Sequence, residues 1–134
     1  MINNFEDLEV WKECRNLRKH VSTVVKSFPA HEKFRMTDQL IRASRSITAN
    51  IAEGHGRFHY QENIQFCRQA RGSLSETLDH FICAFDENYI SMDQLIVCRN
   101  QYNLCLKILN GYIAYLQKMK LNKNNKPSPP TQST

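Results

Sequence analysis

Hydrophobic residues recur along most of the chain at steps of three and four, which is the spacing of one face of an α-helix. Four such stretches predict four helices and no strand. The first helix is predicted from about Glu6 to Ser27, because the residue before Pro29 avoids helical geometry. The second is predicted to begin near Met36 and to end where Gly54 takes the left-handed conformation that closes a helix.

The third and fourth helices are predicted from longer apolar patterns. The third begins around Tyr60 and ends before Asn88, and its predicted stripe consists of Tyr60, Ile64, Cys67, Arg71, Leu74, Leu78, Phe81 and Phe85. Ser91 and Gln94 have the spacing of a capping box, which predicts the start of the fourth helix. Apolar positions of the fourth helix then follow a heptad spacing through Leu95, Cys98, Tyr102, Cys105, Leu109, Tyr112, Leu116 and Met119.

Four helices joined by short connections predict an all-α domain, an antiparallel up-down four-helix bundle in residues 1–121. A length of 134 residues suits a single hydrophobic core. Residues 122–134 are rich in proline and polar side chains, which predicts a disordered tail. The fourth helix carries further apolar residues outside its heptad positions, namely Ile96, Leu106, Ile108 and Ile113. Surplus apolar surface indicates an interface, so we expect a homo-oligomer.

A second stripe of polar and small residues is predicted to join helices two and three. Its members are Ser46, Asn50 and Glu53 on helix two and Arg71, Gly72, Ser73 and Glu76 on helix three. A glycine inside a helix costs about 1 kcal/mol relative to alanine and is tolerated where another backbone comes close. We therefore expect the two helices to touch at Gly72, with Asn50, Glu53, Arg71 and Glu76 hydrogen-bonded across the contact.

The positive charge of the chain is unevenly distributed. The net charge is +5, yet residues 94–134 contain six basic side chains and no acidic one. A basic surface attracts polyanions, although a merely solvated face is the alternative interpretation. The candidate nucleic-acid-binding residues are Arg15, Arg18, Lys19, Arg42, Arg45, Arg57, Arg68, Lys107, Lys118 and Lys120. No motif for base-specific recognition accompanies them, so binding is expected to be electrostatic and sensitive to salt.

Catalytic and cofactor chemistry has little support in the sequence. His55 and His59 have the i, i+4 spacing of two metal ligands, but Gly54 and Gly56 interrupt the helix that this spacing needs. The five cysteines show no C-x-x-C spacing, which argues against a zinc site or a disulfide framework. No apolar run approaches the length of a membrane span. We predict a cytoplasmic, non-enzymatic protein with no cofactor, no small-molecule substrate and no membrane partner.

Four segments between Phe5 and Ile90 carry a resemblance to a known family. They are FEDLEVW, FP followed by EKF, DQLIRASRSITANIAEGHGR and FCRQARGSLSETLDHF. The chain resembles the 23S rRNA intervening-sequence family of four-helix bundle proteins, with NIAEG-x-G-R followed by A-R-G-S-x-x-E as the most specific part. The resemblance implies a left-handed bundle, a ring-like homopentamer and a role in nucleic-acid binding. It also implies kinship with the accessory protein of diversity-generating retroelements, a pentameric bundle that works with a reverse transcriptase and RNA.

Two functional hypotheses follow from the sequence. The first is an oligomeric, non-enzymatic bundle that binds structured RNA or a reverse transcriptase-like nucleoprotein through arginine and lysine. The second is a structural scaffold that uses the apolar face of helix four to bind a protein partner. Removal of the lysines near the C-terminus separates the two hypotheses, because only the first requires them.

Overall fold

The computed structural model describes residues 2–125, and all regular structure in that range is helical. The four α-helices are α1 (Glu9–Val24), α2 (Met36–Gly56), α3 (Tyr60–Asp86) and α4 (Met92–Asn125). Short 3-10 helices cover Phe5–Asp7, Val25–Ser27 and Ala30–Glu32. The helices pack around one hydrophobic core, an arrangement consistent with a bundle. The predicted all-helical fold with four helices is confirmed.

Local sequence explains where several helices begin. The Asn4 side chain accepts a hydrogen bond from the Glu6 amide at 2.8 Å and starts the first 3-10 turn. At the start of α4, the Ser91 amide donates to Gln94 Oε1 at 2.8 Å and the Gln94 amide donates to Ser91 Oγ at 3.1 Å. The predicted capping box is confirmed. Helix α4 extends to Asn125, four residues past the predicted domain boundary at 121. The rest of the predicted tail lies outside the described residues.

The inward face of α3 differs from the predicted apolar stripe. Apart from Ile64, the buried positions follow a heptad spacing through Asn63, Cys67, Ala70, Leu74, Thr77, Phe81 and Ala84. Arg71 and Leu78, which the predicted stripe included, are only half-buried. Thr77 is accommodated in the core because its hydroxyl donates to the Ser73 carbonyl at 2.9 Å. Small and polar residues therefore occupy core positions that a search for large apolar residues passes over.

One of the surplus apolar residues predicted on α4 belongs to the core. Ile113 is buried, whereas Ile96 is about half exposed. The apolar surface left over on α4 is thus smaller than the sequence suggests. It still includes Val97 and Leu104, whose exposed fractions are 48% and 45%.

Helices α2 and α3 come close together at Gly54. A Cβ atom added there would come within 2.7 Å of Asn63 Oδ1 and 2.9 Å of Phe66 Cβ. At Gly72 an added Cβ would meet no heavy atom within 4 Å, and Gly72 is exposed. The prediction that Gly72 makes the close contact was therefore wrong. Gly72 faces away from α2. Gly54 has no side chain, which leaves space for Asn63 and Phe66 of α3.

The end of α2 also differs from the expectation. Helix α2 continues through Gly54 to Gly56, and no glycine among residues 2–125 has a positive φ. The chain instead reverses at Phe58, whose φ is 58°. The predicted left-handed closure at Gly54 was wrong because that glycine is needed inside the helix for the α2–α3 contact.

Candidate nucleic-acid interface

Part of the predicted polar network is present between α2 and α3. Ser73 Oγ donates to Ser46 Oγ across the two helices at 2.9 Å. Asn50 Nδ2 donates to the carbonyl and the hydroxyl of Ser46, at 2.8 and 3.0 Å. All three side chains are half-buried, so their polar atoms are paired away from bulk water. These three residues form a small network beside the apolar contact.

The other predicted members of the network have partners elsewhere. Glu53 pairs with Arg57 at 2.9 Å and Glu76 pairs with His80 at 3.2 Å, each within its own helix or helix end. Arg71 Nη1 donates to Asn110 Oδ1 on α4 at 2.8 Å. The predicted hydrogen bonds of Asn50, Glu53, Arg71 and Glu76 across α2 and α3 were therefore wrong. Glu53 and Glu76 are exposed and reach a partner one turn away on the same face.

Basic residues of α1 and α2 form one group of candidate ligand-binding side chains. The guanidinium groups of Arg15 and Arg18 lie 5.7 and 6.0 Å from the centre of the Trp11 ring. Arg18 Nη1 also donates to Thr48 Oγ1 on α2 at 2.9 Å. Arg45 precedes Thr48 by three residues and is therefore on the same side of α2. We call Arg15, Arg18 and Arg45 the α1–α2 basic group.

Two further cations lie near the α1–α2 basic group. Lys19 follows Arg18 on α1 and is exposed. Arg42 pairs with Asp38 at 3.0 Å, but its side chain is 79% exposed, so the ion pair is strongly screened. The sequence-predicted residues on α1 and α2 thus lie on neighbouring surfaces of two adjacent helices.

A second group of cations lies between α3 and α4. Arg68 and Lys120 line a hollow of about 370 Å³, and the Lys120 ammonium donates to Gln61 Oε1. Lys118 is exposed on α4, and Lys123 lines an adjoining hollow with Phe58 and Tyr60. We call Arg68, Lys120 and Lys123 the α3–α4 basic group, because Lys118 lies two residues from Lys120 and therefore on nearly the opposite side of α4.

Arg57 and Lys107 belong to neither group. Arg57 pairs with Glu53, and its guanidinium lies 5.2 Å from the centre of the Phe66 ring. Lys107 lines a separate cleft of about 370 Å³ with Ile108 on α4 and Val10 on α1. The ten predicted binding residues therefore do not form one continuous face.

An aromatic cleft that the sequence patterns do not predict lies where the α2–α3 turn meets α4. This cleft measures about 340 Å³ and is lined by His55, Phe58, His59, Tyr60, Tyr112 and Tyr115, among others. Asn63 Nδ2 donates to the Tyr112 hydroxyl at 3.1 Å, and burial raises the pKa of that phenol. The aromatic residues in GHGRFHY were a local signal, but the α4 tyrosines join them only in three dimensions.

The cysteines and histidines of the described residues resemble structural side chains rather than catalytic ones. Burial raises the pKa of the Cys67 thiol to about 12 and that of Cys98 to about 11. Such thiols are protonated at neutral pH and are poor nucleophiles. His55 is in the last turn of α2, whereas His59 lies outside that helix, so the two do not share a helical i, i+4 spacing. No cluster of three or more His, Cys, Asp or Glu residues within 2–125 has a metal-binding arrangement.

Comparison with known proteins identifies the family. The sequence model of the 23S rRNA-intervening sequence protein family matches residues 6–111, which include α1, α2, α3 and more than half of α4. The chain belongs to this family. This result confirms the resemblance seen in the sequence motifs. No curated protein matches the chain.

The fold of this 23S rRNA-intervening sequence family member resembles that of a solved structure. A protein of unknown function from the S23 ribosomal protein family of Bacteroides thetaiotaomicron VPI-5482 superposes with a TM-score of 0.71. The two sequences are 23% identical, and the match covers 78% of this chain and 97% of that chain. At this identity the likeness shows the fold alone.

Part of the candidate interface of this family member lies beyond the family match. The match ends at residue 111, before Tyr112, Tyr115, Lys118 and Lys120 on α4. The α1–α2 basic group lies within the match, as does the α2–α3 turn. Among the residues that the structure describes, no helix is long and apolar enough to cross a bilayer.

Proposed function

We propose that this member of the 23S rRNA-intervening sequence protein family is a non-enzymatic, homo-oligomeric RNA-binding protein. The main observation behind the proposal is that α4 has basic residues and no acidic residue along most of its length. After Asp93 the described part of α4 contains five cations and no acidic residue, namely Arg99, Lys107, Lys118, Lys120 and Lys123. None of these cations takes part in the ion pairs found among residues 2–125. Their charge is therefore available to a polyanion.

The chemistry of the basic groups suits the RNA backbone. Arginine and lysine contact phosphates without regard to sequence, and each contact releases counterions. Arg68 on α3 adds a planar guanidinium beside Lys120 in the α3–α4 hollow. The family description, a protein of 23S rRNA intervening sequences, agrees with RNA as the polyanion. Structured RNA presents closely spaced phosphates to such a surface.

The proposal includes an antiparallel bundle that assembles with copies of itself. Contacts between α2 and α3 join residues 46 to 73 and 54 to 63, so the numbers rise on one helix as they fall on the other. Val97, Leu104 and Ile108 lie within one narrow arc of α4, which we call the outer α4 stripe. This apolar stripe supports self-association, and the ring-like pentamer implied by the family resemblance repeats each basic group around an axis. Repetition raises avidity without new contacts.

Binding of a labelled 23S rRNA fragment tests this function. We expect the logarithm of affinity to fall linearly with the logarithm of salt concentration between about 50 and 200 mM. The triple variant Lys118→Gln, Lys120→Gln and Lys123→Gln should weaken binding and reduce the salt slope by about 2–3, since each phosphate contact contributes about 0.7 on a single strand and about 0.9 on a duplex. Fluorescence anisotropy measures both quantities.

A matched control removes the same charge elsewhere. Lys12, Lys26 and Lys33 are exposed lysines outside the α3–α4 basic group, and their replacement by glutamine should change affinity much less. Affinity that does not change with salt, or equal losses in both triple variants, would contradict the proposed mechanism.

The alternative function is a protein-interaction scaffold that uses the outer α4 stripe. The exposure of Val97 and Leu104 is the observation that favours it. In that case the lysine variants bind RNA no worse than the parent protein, while Leu104→Glu abolishes capture of the protein partner. Under the RNA-binding proposal the lysine variants lose RNA with their oligomeric state intact.

A further inference from the structure

We propose that the aromatic cleft at the α2–α3 turn binds unpaired bases of single-stranded RNA. This inference rests on the proposed function, because it takes RNA as the ligand. The proposed function assigns neutralisation of phosphates to the basic groups. The present inference adds stacking of bases in the aromatic cleft. Base stacking on aromatic side chains is independent of sequence and specific for unstacked bases.

Phe58 is the residue that first points to a ligand. Its side chain is 85% exposed, and its backbone has a φ of 58°, a left-handed conformation that bulky residues rarely adopt. This conformation holds a large apolar ring in water, where it gains nothing from the core. Exposed apolar groups combined with backbone strain are typical of binding sites.

Further rings lie close to Phe58. The His55 ring centre is 6.4 Å from that of Phe58. On α4, the rings of Tyr112 and Tyr115 are nearly parallel at 18°, with centres 6.4 Å apart, and Tyr115 is exposed. Asn63 fixes Tyr112 through its hydrogen bond to the phenol oxygen. The cleft between these rings, about 340 Å³, is within the range of about 300–1,000 Å³ typical of small-ligand sites.

Positive charge lies next to the rings, where the phosphates of a bound strand would run. Lys123 shares its hollow with Phe58 and Tyr60, which also line the aromatic cleft. Lys120 and Arg68 line the next hollow along α4. The amino-terminal end of α3 adds a partial positive charge, because no side chain caps it at His59. Phe58 and Tyr60 thus connect a surface for bases with a surface for phosphates.

The cations Arg68, Lys120 and Lys123 outnumber the acids at this turn. Glu53 is already paired with Arg57, and Glu62 is an exposed residue in the first turn of α3. Aromatic rings in a cleft also exclude a rigid duplex, whose bases are stacked on one another and unavailable. The combination of rings and cations therefore favours a single strand over a duplex and over an uncharged protein partner.

The test compares a ten-nucleotide oligoadenylate with a duplex of the same length, both labelled for fluorescence anisotropy. Phe58→Ser should weaken binding of the single strand by about 5- to 150-fold, the range for loss of one stacked base. The salt slope should stay unchanged, because no phosphate contact is lost. Duplex binding should change less than twofold.

Phe34 provides a matched control. It is 84% exposed and lies beside Lys33 on the connection between α1 and α2, away from the cleft. Phe34→Ser should leave binding of both RNAs unchanged. Phe58→Leu keeps the apolar bulk and removes the aromatic face, so it should weaken single-strand binding as Phe58→Ser does. Thermal unfolding of each variant checks that the exposed substitution leaves the core intact.

The outcomes separate this inference from the proposed function. If the Phe58 variants bind the single strand like the parent protein while the lysine variants lose affinity, the inference is overturned and the proposed function stands. Equal weakening of single-strand and duplex binding, or equal effects of Phe34→Ser and Phe58→Ser, also overturns it. If the parent protein binds neither RNA at about 50 mM salt, both proposals fail together.

Discussion

At the scale of single residues, Gly54 and Gly72 show how similar sequence features have different structural roles. Both are glycines inside a helix, and both have the same low intrinsic helix propensity. Gly54 is buried against Asn63 and Phe66, whereas Gly72 faces open space. Only the first glycine is required by the contact between α2 and α3.

Replacement of each glycine by alanine should therefore have opposite effects. Gly54→Ala should lower the free energy of unfolding by about 1–3 kcal/mol, because the new Cβ overlaps Phe66 Cβ and the Asn63 side chain. Gly72→Ala should raise it by about 0.5–1 kcal/mol, because alanine favours the helix and meets no neighbour. Urea unfolding measures both changes. Destabilisation of similar size in both variants would contradict this assignment of the contact.

The sequence could not have distinguished these two glycines. Helix propensity depends on local backbone freedom, which is equal for the two glycines. They differ in whether a neighbouring helix packs against them, which the sequence around each glycine does not show. The serine pair was more predictable, because Ser46 lies beside the apolar stripe of α2 and Ser73 beside that of α3. Glu53 and Glu76 were assigned to the same contact, but an exposed carboxylate finds a partner within its own helix or at its end.

At the scale of helices, the burial of each cysteine shows which face of its helix points inward. Cys14, Cys67, Cys98 and Cys105 lie on the buried faces of α1, α3 and α4, and Cys83 is half-exposed on α3. The hydrogen bond with Cys105 and burial raise the pKa of Cys14. Burial and the nearby carboxylates of Asp79, Asp86 and Glu87 raise the pKa of Cys83.

Thiol modification should therefore follow helix orientation. At pH 8, Ellman's reagent should modify one thiol, Cys83, before the protein unfolds, and more slowly than free cysteine because less of the thiol is ionised. The rate should rise with pH as the thiolate forms. In denaturant all five thiols should react. Cys83→Ser should abolish the early reaction, and a second early thiol in that variant would show that a helix face is misassigned.

Much of each helix was predictable from its sequence. Pro29, the capping box at Ser91 and the apolar periodicity define helix ends through local rules, and the predicted ends agree with the structure within a few residues. The inward face of α3 was less predictable, because Ala70 and Thr77 occupy core positions next to larger residues. Hydropathy favours large side chains, while packing between close helices favours small ones.

At the scale of the whole molecule, a substitution in the outer α4 stripe tests the proposed self-association. Leu104→Glu should reduce the molar mass measured by light scattering, since it places a charge in the proposed apolar contact. Asn103→Glu introduces the same side chain at the neighbouring exposed position, on another face of α4, and should leave the mass unchanged. Equal masses for the parent protein and both variants would remove the stripe from the assembly.

The candidate interface was only partly predictable because it combines distant parts of the chain. Each cation was visible in the sequence, but the pairing of Arg18 with Thr48 and the meeting of Arg68 with Lys120 depend on how helices pack. The aromatic cleft joins the α2–α3 turn to tyrosines more than fifty residues later. A surface of this kind has no local signature.

Helix α4 carries both the outer stripe and one wall of the aromatic cleft. Tyr115 follows Ile108 by seven residues, two helical turns along the same side of the helix. If the proposed subunit contact and the proposed RNA contact both use this side of α4, the two equilibria are linked, and each changes the constant of the other by the same factor. An RNA titration repeated at two protein concentrations would give two apparent affinities, and their ratio would measure the coupling free energy between assembly and ligand.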